Sequence, residues 1–118
     1  MKRLLPDTAA LLILFCLVAA FFIRLFYPTP HLLVTPDFGR SDAWHFSMPT
    51  KFALSESLKE GELPLWRDDA GTGFPLFAEG QTGALYLPNL ILFRYLDWVT
   101  AYNILLALSV FMLGAGMY

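Results

Sequence analysis

The sequence predicts an all-α membrane protein in which two transmembrane helices are joined by a long extracytoplasmic loop with short amphipathic or interfacial helices. The 118 residues are 57% hydrophobic and only 15% charged, whereas about a quarter of an average soluble domain is charged. The apolar residues lie in two long blocks. A formal net charge of −2 gives no basic surface for nucleic acid. The single cysteine, Cys16, excludes an internal disulfide framework.

The first apolar block predicts a transmembrane helix over residues 8–27, after a cytoplasmic segment of residues 1–7. Residues 8–23 contain no charge, and about 20 apolar residues are enough to cross a bilayer. Arg24 can extend its guanidinium group to the far interface, where Tyr27 belongs to an aromatic belt. Pro28 then ends the helix.

The second apolar block, residues 98–118, also lacks charge and predicts a second transmembrane helix. Trp98 and Tyr102 are placed at interfacial height. Gly114 and Gly116 would let another helix approach closely, although a simple bend or a lipid-facing weak spot is an equal alternative.

The orientation follows from the basic residues around the first block. Lys2 and Arg3 precede it, whereas five basic residues are spread over the 70 residues between the blocks. We therefore expect a cytoplasmic N-terminus and an extracytoplasmic segment over residues 28–97. A secretory signal peptide ending at Ala20 is the rival interpretation. Both interpretations place the middle segment outside the cytoplasm.

The middle segment contains signals for two short helices. Ser47 is a candidate N-cap, Pro49 suits the first turn, and Gly61 is a stop signal. Residues 63–83 are rich in glycine and proline and predict tight turns. Residues 85–93 then predict an interfacial or re-entrant helix with Pro88 in its first turn.

Candidate site residues are concentrated in this segment. Asp42 and His45 are three residues apart, so on a helix they would share a face and could position a hydroxyl group or a divalent ion. A capping role for the aspartate is the commoner case. The pair Asp68-Asp69 is typical of an Asx turn, with metal binding as the alternative.

Two amides lie among apolar neighbours, Gln81 and Asn89. Buried amides need hydrogen-bond partners. They could therefore bind a sugar or head-group hydroxyl, or else satisfy the local backbone.

The motifs follow one another in a distinctive order. They are Ser41-Asp42, Pro49, Gly61-Glu62-Leu63-Pro64-Leu65-Trp66, Gly73-Phe74-Pro75, Gln81, Tyr86 and Pro88-Asn89-Leu90. This order resembles the first extracytoplasmic loop of the bacterial YfhO family, which are polytopic membrane proteins of the GT-C glycosyltransferase type. Arg67 and Asp68 stand where family members usually have Asn-Pro. The block that begins near Tyr102-Asn103 is similar to the second span of that family.

The resemblance implies sugar transfer from a polyprenyl-phosphate donor to a cell-envelope acceptor at the bacterial plasma membrane. It implies that Asp42 acts as the general base, or as a metal-linked acid, on the acceptor hydroxyl. Whether a divalent metal ion takes part stays open. The residues expected to bind substrate are Asp37, His45, Gln81, Tyr86 and Asn89.

We expect the chain to be an N-terminal piece of such an enzyme, with a partial GT-C-like fold and no activity alone. Membrane lipid, the donor and further helices of the same family are then its partners. The alternatives are a small two-span protein whose outer loop docks a partner, and a secreted domain behind a signal peptide and tethered at its C-terminus.

Overall fold

The computed structural model describes residues 4–34, 36–68 and 71–118, which are helical with connecting turns and contain no strand. Lys2 and Arg3, used above for orientation, lie outside these residues. Short 3₁₀ turns cover Ile23–Leu25, Phe38–Arg40 and Gly80–Thr82, and a π-helical turn covers Ala43–Ser47. Within these described residues the α-helices are α1 (Leu4–Phe22), α2 (Met48–Glu60), α3 (Leu87–Tyr95) and α4 (Trp98–Met117).

The long helices α1 and α4 pack side by side and run antiparallel. The rings of Phe15 and Phe111 meet edge to face with centroids 5.9 Å apart, a favourable geometry for aromatic rings. One turn further on, Leu14 lies against Gly114, where an added Cβ would come within 3.0 Å of the leucine. The absence of a side chain at Gly114 therefore lets α1 approach closely, as the small-residue pattern indicated.

Both long helices have the length and composition of membrane spans. The segments Asp7–Leu25 and Trp98–Met117 have mean hydropathies of 2.5 and 1.7, and only 17% and 11% of their most apolar stretches are buried. A core helix of a soluble protein would be mostly buried. Together these two helices indicate association with a membrane. Helix α1 begins at Leu4, earlier than the sequence predicted, and a 3₁₀ turn continues it to Leu25.

A buried amide joins the end of the first helix to the second. Asn103 of α4 is fully buried and donates from Nδ2 to the carbonyl oxygens of Leu25 and His31, both at 3.0 Å. Those carbonyls lie at the end of the first helical segment and in the chain that leaves it. The amide therefore holds both against α4.

Helix α2 begins differently from the prediction. Ser47 was expected to cap it, but Ser47 has helical backbone angles and its side chain makes no capping hydrogen bond. The preceding residues already form the π-helical turn, so backbone carbonyls there accept the first amide protons of α2; Ala43, for example, accepts from Met48. Pro49 is in the first turn, and α2 ends at Gly61, whose φ of 81° is left-handed. These two predictions are confirmed.

Helices α2, α3 and α4 meet in a small core at one end of the helix pair. Its buried members are Leu54, Leu58, Ala84, Phe93 and Ala101. Polar contacts brace the same core. The Ser55 hydroxyl donates to the Phe93 carbonyl at 3.0 Å, and Arg94 Nη1 donates to the Leu58 carbonyl at 3.0 Å. The arginine thereby satisfies a carbonyl at the C-terminal end of α2.

Helices α3 and α4 follow each other with almost no linker. Pro88 is in the first turn of α3, as predicted, and the helix ends at Tyr95. Asp97 then caps α4, because its Oδ2 accepts from the amides of Val99 and Thr100 at 3.1 Å. Such a cap contributes about 1 kcal/mol. The short connection fixes where α3 lies relative to the start of the second long helix.

The segment between α2 and α3 folds back through tight turns, as the glycines and prolines predicted. Arg67 and Phe74 pair as an isolated antiparallel bridge, with both N–H to O distances at 2.8 Å. The Trp66 ring lies directly over Gly73, whose φ is 105°. Any side chain at Gly73 would displace that ring.

We expect Asn103→Leu to lower the free energy of unfolding by about 1 kcal/mol, because the His31 carbonyl loses this donor and the Leu25 carbonyl keeps only the bond from the His31 amide, while side-chain volume is kept. Thermal unfolding in detergent, followed by circular dichroism, measures this. Ser109→Ala is the matched control, since the Ser109 hydroxyl is exposed and bonds only within α4. Equal stability of both variants would contradict the bridging role of Asn103.

Candidate functional site

The predicted catalytic residue Asp42 lies at the start of the helical run that leads into α2. Its backbone is helical and its side chain is exposed. The π-helical turn of Ala43–Ser47 follows directly. Turns of this kind are rare and occur often at functional sites. An exposed carboxylate at such a position is available to a ligand.

Asp42 shares a pocket with another predicted site residue. Asp42, Phe46 and Gln81 line a pocket of about 250 Å³. Asp42 and Phe46 come from the turn before α2, and Gln81 comes from the 3₁₀ turn before α3. The fold therefore brings together a carboxylate and an amide that lie far apart in the sequence, and Phe46 lines the same pocket.

The turn that carries Gln81 is held by a neighbouring carboxylate. Glu79 Oε2 accepts hydrogen bonds from the Gln81 amide at 2.7 Å and from the Thr82 amide at 3.0 Å. The turn closes at Gly83, whose φ is 61°. Because a left-handed conformation is strained for residues with a side chain, this position requires glycine.

Two buried side chains anchor the same turn from outside it. The Thr82 carbonyl accepts from Lys51 Nζ at 2.6 Å and from Asn89 Nδ2 at 3.2 Å. Asn89 Nδ2 also donates to the Gly83 carbonyl at 2.8 Å. Asn89, which is only 1% exposed, thus satisfies the local backbone, the second of the two roles considered for it. Its role in binding substrate stays a prediction.

Lys51 is an unusual member of this cluster because it faces the core. It is buried, and its ammonium group lies 5.8 Å from the centroid of the Phe93 ring. Burial lowers the pKa of Lys51 from its ordinary value of 10.5, and the negative charge of Glu79 partly opposes that decrease. The charged amine is therefore less stable here than in water.

His45 points to different surroundings from those of Asp42. Its Nε2 donates to the Gly39 carbonyl at 3.1 Å. It lines two other pockets, one with Trp44 and Trp98 and one with Arg67. The intervening turn is π-helical and wider than an α-turn, so the three-residue spacing does not have the geometry of the α-helix on which the pairing was considered. The pairing of Asp42 with His45 stays a prediction.

Asp37 and Tyr86 are the other two residues expected to bind substrate. Asp37 is exposed beside the 3₁₀ turn Phe38–Arg40, and its carbonyl accepts from the Arg40 amide at 2.7 Å. Tyr86 precedes α3 and is about half exposed. Neither belongs to the lining of the Asp42 pocket, so their roles stay predictions.

Clusters of metal-ligating side chains can be assessed only among the residues that the structure describes. Within residues 4–34, 36–68 and 71–118, no group of three or more His, Cys, Asp or Glu side chains is placed to hold a metal ion. Asp69 lies outside the described residues. A metal site at the Asp68-Asp69 pair therefore stays open.

Sequence reasoning missed Lys51 and Thr82, which hold the turn of Gln81. A signal for Lys51 existed, because it falls on the same helical face as Leu54, Ser55 and Leu58, all of which are buried. A lysine whose position in the helix places it on the apolar face needs a buried hydrogen-bond acceptor or negative charge as its partner. No local pattern marks the Thr82 carbonyl as that partner.

Comparisons with protein-family models, curated proteins and solved structures find no match for this chain.

Gly83→Ala should lower the free energy of unfolding by roughly 1–3 kcal/mol, as is typical for a side chain forced into a left-handed conformation. The new Cβ would also lie 2.9 Å from Asn89 Nδ2 and displace that amide. Gly80→Ala in the same turn is the control, since nothing lies within 4 Å of its Cβ. Chemical denaturation of both variants measures the difference, and an equal loss would contradict the packing described.

Lys51→Met should change how stability depends on pH. As pH rises towards 10.5, the unfolded chain still binds a proton at Lys51 that the folded chain has already released, so the folded state gains stability with pH. The melting temperature of the unmodified protein should therefore rise relative to that of Lys51→Met over this alkaline range. Lys59→Met, at an exposed position of α2, should show no such divergence. Parallel pH profiles for all three proteins would contradict the lowered pKa.

Proposed function

We propose that this chain supplies the first two membrane helices and the first outer loop of a GT-C type glycosyltransferase that resembles the YfhO family. The reaction is transfer of a sugar from a polyprenyl-phosphate donor to a hydroxyl group of a cell-envelope acceptor. The single observation that carries the proposal is the shared pocket of Asp42 and Gln81. Both residues belong to the motifs of the resemblance.

The pocket contains groups suited to this chemistry. The Asp42 carboxylate accepts the proton of the acceptor hydroxyl as its oxygen attacks the anomeric carbon of the donor sugar. The bond between that carbon and the lipid phosphate oxygen breaks, and the phosphate leaves with the electron pair. The Gln81 amide can both donate and accept hydrogen bonds, which suits it to orient sugar hydroxyls.

The position of the pocket also supports the proposal. The core of α2, α3 and α4 lies at the end of the helix pair where α4 begins. In the proposed orientation this end faces the outside of the bacterial plasma membrane, and the N-terminus is cytoplasmic. A lipid-linked donor would then reach Asp42 from the outer leaflet.

The long helices leave apolar surface for further partners. Leu12, Leu17 and Phe21 of α1 and Leu113 of α4 are each more than half exposed. In the proposed enzyme these faces contact lipid or further helices of the transferase.

We expect Asp42→Asn to reduce sugar transfer by about 10²–10⁴-fold, the usual contribution of a general base. The assay uses membranes that contain the protein in its full native chain. The donor is undecaprenyl phosphate bearing radiolabelled glucose, and donors that bear other hexoses are tested next. Binding of the donor should be unchanged. Glu56→Gln, which removes an exposed carboxylate of α2, is the control. Undiminished transfer by Asp42→Asn would disprove the proposed role.

A partner-docking outer loop is the second candidate, favoured by one surface. Leu63, Leu65 and Trp66 are each more than half exposed on the segment after α2. Exposed apolar side chains in such a group are typical of protein interfaces. A defined membrane partner that binds the unmodified chain but not Trp66→Ser, with sugar transfer absent from both, would favour this candidate over the enzyme.

A further inference from the structure

An aromatic pocket of about 380 Å³ lies where α2 meets the beginning of α4. Trp98 begins α4, and its ring meets the ring of Phe52 from α2 with centroids 5.7 Å apart. The other lining residues are Trp44, His45, Met48 and Pro49. Pockets of roughly 300–1,000 Å³ with aromatic walls are typical of sites for small ligands.

The two contacting rings form a corner. Their planes are inclined at 76° to each other, so a compact group placed between them contacts a face of each ring. Trp44 adds a third aromatic side chain to the lining. Phe52 is 43% exposed and Trp44 is 39% exposed, so a ligand can reach these rings from outside.

The ring faces favour a cation. An aromatic face carries a negative potential and attracts a cation that lies within about 6 Å of the ring centroid. Among the described residues that line this pocket there is no Lys, Arg, Asp or Glu, and Arg67 lines a separate pocket. The rings are therefore the groups in this lining that can attract a charged ligand.

Hydrogen-bond partners are scarce in the same pocket. His45 Nε2 already donates to the Gly39 carbonyl at 3.1 Å, so Nδ1 is the one nitrogen acceptor that the lining side chains provide. A sugar would bury several hydroxyl groups here, and a primary ammonium group would bury several N–H donors. Each group left unpaired weakens binding. A quaternary ammonium group needs no hydrogen bonds, and aromatic walls are suited to bind it.

The position of the pocket indicates the source of such a group. The candidate span Trp98–Met117 begins with a residue of the pocket. A tryptophan at the end of a membrane span lies at the level of the lipid headgroups. The exposed Asp97, next to Trp98 in the chain, contributes negative charge at this end of α4. A lipid with a choline headgroup carries its trimethylammonium group at that level.

We propose that this pocket binds the trimethylammonium group of a choline lipid in the corner between Phe52 and Trp98, with Trp44 as a further wall. The site does not depend on sugar transfer, because its lining shares no residue with the pocket of Asp42.

The test measures binding to the full chain in dodecyl maltoside, a detergent without an ammonium group. Saturation-transfer NMR follows the equivalent methyl protons of choline and those of neohexyl alcohol, its neutral isostere with carbon in place of nitrogen. We expect choline to bind about fivefold more tightly than the alcohol, the ratio that a cation–π contact supplies. Ethanolamine, measured by competition, should bind more weakly than choline. Equal affinity for choline and the alcohol, or tighter binding of ethanolamine, would overturn the site.

Two substitutions remove ring faces and keep the pocket apolar. Phe52→Leu and Trp98→Leu should each lower the affinity for choline towards that for neohexyl alcohol, whose binding needs only apolar walls. Tyr95→Leu, which removes an exposed ring of α3, is the matched control and should leave the ratio unchanged. Circular dichroism confirms that each variant is folded. An unchanged ratio in both pocket variants, or an equal loss of both probes in Phe52→Leu, would contradict binding by the rings.

Competition between short-chain lipids tests the lipid as the occupant. Dihexanoylphosphatidylcholine should displace choline, whereas dihexanoylphosphatidylglycerol, which has the same acyl chains and no ammonium group, should not. Displacement by both lipids would show that acyl chains alone fill the pocket and would overturn the proposal. Binding of choline without displacement by either lipid would overturn the choice of a lipid as the source.

Discussion

The Thr82 carbonyl is the contact on which the outer segment depends. It is buried and accepts from both Lys51 of α2 and Asn89 of α3. A buried carbonyl without a donor costs about 1–3 kcal/mol, and a buried amine without an acceptor costs more. The three groups therefore satisfy one another only when α2, the turn at residues 80–82 and α3 are assembled. The hydrogen bonds among these groups therefore specify a single arrangement of the three elements.

The candidate site is a direct consequence of that arrangement. Gln81 precedes Thr82 in the chain, so a turn held at Thr82 also places Gln81. Asp42 and Phe46 reach the same pocket because the π-helical turn continues directly into α2, which carries Lys51. The site is thus built on the ends of braced elements, where small shifts in α2 or α3 would alter the position of the carboxylate relative to the amide.

The outer segment is in turn coupled to the long helices. Phe93 and Leu54 pack with Ala101 of α4, and Asn103, two residues after Ala101, holds the chain that leaves the first helix. Apolar packing and two hydrogen bonds therefore connect the loop to the helix pair. Because the long helices remain largely unburied, their stability depends on an apolar environment outside this chain as well as on each other.

The sequence by itself determined the features that depend on local chemistry. Two uncharged blocks produce the long helices, Gly61 ends α2, and Pro88 begins α3, because charge, left-handed conformations and the missing amide of proline act within a few residues. Only the tertiary structure decided the π-helical turn in place of a cap at Ser47, the meeting of Asp42 and Gln81 in one pocket, and the inward position of Lys51. These features depend on groups such as the Thr82 carbonyl, which lies 31 residues from Lys51 in the chain, and such hydrogen bonds form only when distant segments meet.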